Sequence, residues 1–192
     1  MKIGVLALQG DFIEHLSTLE RLSVEVVQVR LPAQLEGLNG LIMPGGESTT
    51  IGKLAVAYGF IEPLRKFGKQ HAIWGTCAGA IFLSNDTHRD QPLLKLMDIC
   101  VERNAFGRQL DSFEADLAVP ALKSVDPSDK PFHAVFIRAP LIESVGKKVE
   151  ILAQLSNKKI VAARQGKLLA TSFHPELTLD NRFHKLFLEM AK

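Results

Sequence analysis

Two cysteines in 192 residues, Cys77 and Cys100, are too few for a disulfide framework. No CxxC, HExxH or clustered Cys/His spacing occurs, so no metal site is expected. Charge of one sign is scarce as well. Lys and Arg number 23 against 21 Asp and Glu, a net +2, with no basic tail or aromatic-interleaved Lys/Arg stripe, which excludes the electrostatic footprint of a nucleic-acid binder. The longest apolar runs, such as residues 3–8, are strand-sized and far short of the roughly 20 residues of a membrane-spanning helix. Repeats and low-complexity tracts are missing too. Met1 leads directly into Lys2-Ile3-Gly4-Val5-Leu6, so no signal peptide is expected and the cytoplasm is the expected location. What is present is ordinary globular composition, 46% hydrophobic and 23% charged, at a length that suits one domain over residues 1–192. Cys100 lies in an apolar strand-like run and reads as a buried structural thiol.

The first half alternates strand and helix patterns. Residues 2–8 read as a buried strand and 11–22 as an amphipathic helix with apolar Phe12, Leu16, Leu19 and Leu22. Strands follow at 24–29 and 40–43, helices at 49–58 and 62–69, and a strand at 72–74. That order predicts an α/β fold whose mostly parallel sheet carries helices on both faces. After about residue 98 the pattern changes to strands, at 99–102, 113–119, 133–137, 149–155, 160–164 and 168–173. Turns at Ser156-Asn157 and Gln165-Gly166-Lys167 separate the last three, which predicts antiparallel additions. Residues 180–190 close the chain as a helix with Phe183, Leu186, Phe187 and Met190 on one face.

Ligands of an open parallel sheet bind beyond the carboxyl ends of its strands. Two glycine-rich turns fall there, Pro44-Gly45-Gly46-Glu47-Ser48 and Gly75-Thr76-Cys77-Ala78-Gly79. The second has the G-x-C-x-G spacing of a nucleophile elbow, with a thiol at a helix amino terminus. A buried structural cysteine would also satisfy it. Downstream, Phe173-His174-Pro175-Glu176 supplies a base and a carboxylate. Proline biases His174 toward an extended backbone, and residues two apart on an extended chain share a side, so Glu176 is expected beside the imidazole. Cys77, His174 and Glu176 thus form a candidate triad, and the amides of Gly46 and Ala78 a candidate oxyanion hole. The implied chemistry is acyl transfer through a thioester.

These motifs, in this order, resemble the triad-type (class I) glutamine amidotransferases, with their flavodoxin-like core. The resemblance is greatest to the branch that serves as glutaminase subunit of pyridoxal 5′-phosphate (PLP) synthase. It is carried by Leu6-Ala7-Leu8-Gln9-Gly10, by Gly45-Gly46-Glu47-Ser48-Thr49-Thr50, by Val101-Glu102-Arg103 continuing to Gln109, by Asp111 to Leu117, by Phe136-Ile137-Arg138-Ala139-Pro140 and by Ala162-Ala163-Arg164-Gln165-Gly166. The resemblance implies Cys77 as nucleophile, His174 as general base and acid, and Glu176 as its orienting partner. It also implies L-glutamine contacts from Gly46, Glu47, Ser48, Arg103, Ile137 and Arg138. Glutamine's ammonium and carboxylate call for an acid and a base in the pocket, which Glu47 and either Arg103 or Arg138 would supply. A separate synthase subunit is implied to receive the ammonia and to organise the oxyanion hole at Gly45-Gly46. PLP would be the product of that complex, and no cofactor is expected for this chain. His15 matches a family segment and is expected either near the partner or tuning the site; His71, His88, His133 and His184 read as surface or packing residues. A glutaminase of another pathway, a cysteine peptidase and a non-catalytic binding subunit are the competing readings.

Overall fold

A computed structural model describes residues 1–103 and 112–192. The family-like positions from Asn104 to Asp111 lie outside the described residues. In chain order the elements are β1 (Lys2–Leu6), α1 (Phe12–Arg21), β2 (Glu25–Val29), β3 (Gly40–Met43), α2 (Ser48–Ala57), α3 (Ile61–Gly68), β4 (Ala72–Thr76), α4 (Ala78–Leu83) and β5 (Ser84–Asp86). They continue with β6 (Met97–Glu102), β7 (Ser112–Leu117), β8 (Phe132–Ile137), β9 (Leu141–Val145), β10 (Glu150–Gln154), β11 (Ile160–Gln165), β12 (Leu168–Thr171) and α5 (Arg182–Met190).

Among the described residues a ten-stranded sheet runs in the order β2-β1-β3-β4-β12-β11-β9-β6-β5, with β10 pairing β11 to the side. Strands β2, β1, β3, β4 and β12 are mutually parallel. From β12 onward β11, β10, β9 and β6 pair antiparallel. The mostly parallel α/β sheet with antiparallel additions is therefore as the sequence predicts. β7 and β8 form a separate two-stranded ribbon instead of joining the sheet.

Side-chain alternation along the central strands sends successive residues to opposite faces and builds two cores. Leu41, Met43 and Ile73 face α2, α3 and α4, packing with Ile51, Leu64 and Phe82. Ile3, Val5, Ile42 and Trp74 face α1 and α5, packing with Leu16, Leu19, Phe183 and Phe187. The β7–β8 ribbon covers this second face through Phe132 and Phe136, whose rings meet Phe173 at 5.6 Å each.

Several boundaries differ from the sequence reading. β4 runs on to Thr76, directly into the nucleophile turn. β7 stops at Leu117 because Pro120 opens a 3-10 turn. β5 and β9 were not expected. β5 has only three residues, and β9 (Leu-Ile-Glu-Ser-Val) is mixed in polarity with only Ile142 fully buried. No helix among the described residues is long and apolar enough to cross a membrane.

Candidate active site

Three neighbouring strands end together. β3 pairs with β4 so that Met43 lies opposite Gly75, which sets Pro44-Gly45-Gly46 beside the cysteine turn. On the other side β12 pairs with β4 so that Thr171 lies opposite Thr76. The chain leaving β12 therefore delivers Phe173 and His174 to the same end.

Cys77 sits at φ 48°, ψ −106°, between β4 and α4, an unusual conformation for a residue with a side chain. Its N–H donates to the Thr171 carbonyl at 2.8 Å, and its own carbonyl accepts from Ala80 and Ile81. The flanking glycines are required by contact: a Cβ on Gly79 would overlap the Met43 carbonyl, and one on Gly75 would overlap Gly79. Here the elbow predicted from G-x-C-x-G is found.

His174 is nearly buried and its N–H donates to the Val135 carbonyl of β8 at 2.9 Å, which anchors the base to the ribbon. On one side its ring neighbours the Cys77 side chain, which favours the charged ring. On the other, Nδ1 lies 2.8 Å from Glu176 Oε1. Asp11 Oδ2 is farther, at 3.6 Å, and half exposed, so Glu176 is the orienting carboxylate. The route to this contact differs from the expected one. Pro175–Leu177 is a 3-10 turn rather than extended chain, and the turn folds the carboxylate back onto the imidazole. Burial pulls His174 down, but Cys77 and Glu176 outweigh it and push its pKa up to about 10. Burial also raises Glu176, against the opposing pull of His174. Cys100, by contrast, is partly buried among Asp86, Glu143 and Glu102, and its pKa is pushed up to about 11, first by burial. That thiol is a poor nucleophile. His88 is exposed as expected, with Nε2 at 2.6 Å from Glu143 and 3.3 Å from the Cys100 sulfur.

A cavity of about 420 Å³ opens over Cys77 and is lined by Gly46, Glu47, Ser48, Ala78, Arg103, Ile137, Arg138 and His174. Every site residue expected from the sequence lines it, except Glu176, which sits behind His174. Glu47 has a different first task from the one expected. Its Oε2 accepts from the Thr50 N–H at 2.6 Å, capping α2, while Oε1 pairs with Arg103 at 2.8 Å. Burial pushes Glu47 up, but hydrogen bonds from Thr50 and Thr49 prevail and bring it to about 2. Arg103 also reaches Thr49 Oγ1 and Gln91 Oε1, which fixes it in the wall. Ser48 Oγ is buried with no hydrogen-bond partner among the described residues.

Sequence reasoning missed Gln9, Asp11, Ile81 and Pro140 in the lining. Gln9 Oε1 accepts from the Glu47 N–H at 2.8 Å, and the Gly45 carbonyl accepts from the Asp11 N–H at 3.2 Å. These bonds latch the Gly45-Gly46 loop to the turn after β1. With no cis peptide in the described chain, the Gly46 N–H points away from that carbonyl. His184 was missed as a neighbour of the triad, while His15, expected near the partner or tuning the site, lies beside Glu176; both histidines are buried behind it.

A cysteine elbow, a carboxylate-bound histidine and a glycine-rich loop at the ends of three parallel strands define a triad-type α/β amidotransferase. The comparisons with known proteins narrow the class. The model of the SNO glutamine amidotransferase family matches residues 5–192, and the chain belongs to that family. It is 58% identical to the pyridoxal 5′-phosphate synthase subunit PdxT of Herpetosiphon aurantiacus, over 98% of this chain and 99% of that protein. It is 54% identical to the PdxT of Chloroflexus aurantiacus, over 99% and 100%. A crystal structure of a glutamine amidotransferase, 53% identical, superposes with a TM-score of 0.91 over 98% of both chains. At 15% identity, PurLQS of Thermotoga maritima shares the fold, with a TM-score of 0.72.

Proposed function

We propose that this chain is the glutaminase subunit of a PLP synthase, hydrolysing L-glutamine to L-glutamate and ammonia and passing the ammonia to a synthase subunit. The observation that carries the reading is the convergence of three adjacent strand ends: β3 brings the Gly45-Gly46 loop, β4 brings Cys77 and β12 brings His174. The family and the PdxT relatives support glutamine as the amide.

In this reading the Cys77 thiolate attacks the side-chain carbonyl of glutamine. The oxyanion that forms is received by the N–H groups of Gly46 and Ala78. His174, held as imidazolium by its two neighbours, protonates the departing ammonia, and Glu176 stabilises the charged ring. Water then attacks the glutamyl thioester with His174 as base, releasing glutamate. Arg103 and Arg138 meet the substrate carboxylate, Ser48 Oγ gains the partner it lacks, and Gly46, Glu47 and Ile137 complete the cradle.

Ammonia freed into water is largely protonated to ammonium, which is no nucleophile, so transfer to a docked synthase is part of the function. PLP is the product of the pair, and this chain works without a cofactor of its own, in the cytoplasm. Glutamine hydrolysis measured with the co-purifying synthase tests this. Wild type is expected to be active and Cys77→Ala to lose activity by at least roughly a thousandfold; activity surviving in Cys77→Ala would overturn the mechanism. Stimulation by a synthase of another pathway instead would overturn the PLP assignment.

A further inference from the structure

Behind Glu176 the triad continues into a buried pair of histidines that the hydrolysis described above does not use. His15 sits on α1 and His184 on α5, and neither has any solvent exposure. His15 Nδ1 is 3.0 Å from His184 Nε2. His15 Nε2 is 3.3 Å from Glu176 Oε2 and 3.3 Å from the hydroxyl of Thr76, the residue before the nucleophile. Trp74 walls the pair, meeting both imidazoles edge-on at 5.6 and 5.0 Å between centroids.

Burial keeps both rings neutral. It brings His184 to about 3, with Arg21 adding to the effect, and holds His15 well below the ordinary histidine range, with His184 and His174 adding. A neutral imidazole has one N–H and one lone pair, so the His15–His184 bond has two possible directions. If His15 donated through Nδ1, its bare Nε2 would aim a lone pair at the Glu176 carboxylate. His184 would then carry its proton on Nδ1, a buried atom with no partner among the described residues. If His184 donates through Nε2, both conflicts vanish. The proton of His15 then lies on Nε2, the atom that meets the Thr76 hydroxyl and lies 3.3 Å from Glu176 Oε2, and only a bare nitrogen is left unpaired at His184 Nδ1. Glu176 Oε2 has no well-aligned hydrogen bond among the described residues, and His15 Nε2 is its neighbour at ion-pair distance. Thr76 Oγ1 and Glu176 Oε2 share the approach to His15 Nε2 at 3.3 Å each.

We propose that His15, oriented by His184, is a positioning residue of the triad: its Nε2–H holds Glu176 Oε2 so that Oε1 stays on His174 Nδ1 when the imidazolium forms. This rests on the Cys77–His174–Glu176 reading. The need is specific. Burial favours the protonated form of Glu176, and a neutral carboxyl cannot stabilise a charged imidazole. The groups facing this carboxylate are His174 from its own turn, His15 from α1 and Asp11 from the segment before α1, and a donor on its second oxygen opposes protonation.

The first test is independent of catalysis. Imidazole nitrogen chemical shifts of the full chain are expected to show Nε2-protonated tautomers at His15 and His184; a proton on His15 Nδ1 overturns the proposal. The second is kinetic, in complex with the synthase. His15→Leu is expected to lower kcat roughly tenfold to a hundredfold with KM for glutamine unchanged, and to move the acid limb of kcat/KM to higher pH. His15→Gln, whose amide nitrogen reaches where Nε2 lies, is expected to restore most of kcat. Equal loss in both variants, or wild-type kcat and acid limb in His15→Leu, overturns the role. Retained hydrolysis by Cys77→Ala overturns the triad itself, whatever the nitrogen shifts show.

Discussion

His174 and His184 are perturbed in opposite directions, and each leaves its own mark on stability. The raised His174 binds its proton more tightly folded than unfolded, so its contribution is complete below about pH 6.5 and is lost as pH climbs toward about 10. The depressed His184 must stay neutral to remain buried, so its contribution is complete above about pH 6.5 and is lost as pH falls toward about 3. Melting temperatures across this range are expected to fall on both sides, with His184→Gln flattening the acid flank and His174→Gln the alkaline flank, each by on the order of a few kcal/mol at the extreme. Unchanged flanks in these variants would contradict the buried, neutral His184 or the charged His174. At this scale the sequence was informative where chemistry repeats a spacing. The elbow at Cys77 and the base at His174 stand out because glycine and proline punctuate them. The His15–His184 pair did not, because 169 positions separate its members and no spacing rule joins α1 to α5. A signal was nonetheless present. Each histidine sits on the apolar stripe of its helix, His15 beside Phe12, Leu16 and Leu19, and His184 beside Phe183 and Phe187.

Elements carry the site through the second core. Phe132, Phe173 and Phe183 meet edge-on or tilted at 4.8 to 5.6 Å, joining β8, the chain after β12 and α5. Because the His174 N–H is bonded to β8, this cluster fixes the base as well as the ribbon. Phe183→Ala, which empties a fully buried ring site, is expected to cost about 3–5 kcal/mol in urea unfolding. A cost below about 1 kcal/mol would mean that the cluster is not what binds ribbon to sheet. Helices and parallel strands were legible because their apolar periods are long and regular. β5 and β9 were not, since short strands with few buried residues, one at the sheet edge and one inside it, leave no period to read. The turn at Pro175 shows a subtler limit. His174 and Glu176 do meet, but through a 3-10 turn that the Pro-Glu-Leu sequence permits without announcing.

For the whole molecule, the loop 44–48 is the junction of the account. It caps α2 through Glu47, is tied to Gln9 and Asp11, and is set beside Cys77 by the pairing of β3 with β4. Its cavity is lined by polar and charged side chains, and in the proposed function the ammonia released there passes to a synthase subunit. The central claim is that glutamine's acyl group passes through the Cys77 sulfur. It is tested most directly by rapid acid quench of the synthase complex turning over glutamine, followed by mass analysis of the peptides. The expected result is a glutamyl adduct on the Cys77 peptide, absent in Cys77→Ala. An adduct on another residue, or turnover in Cys77→Ala without any adduct, would contradict it.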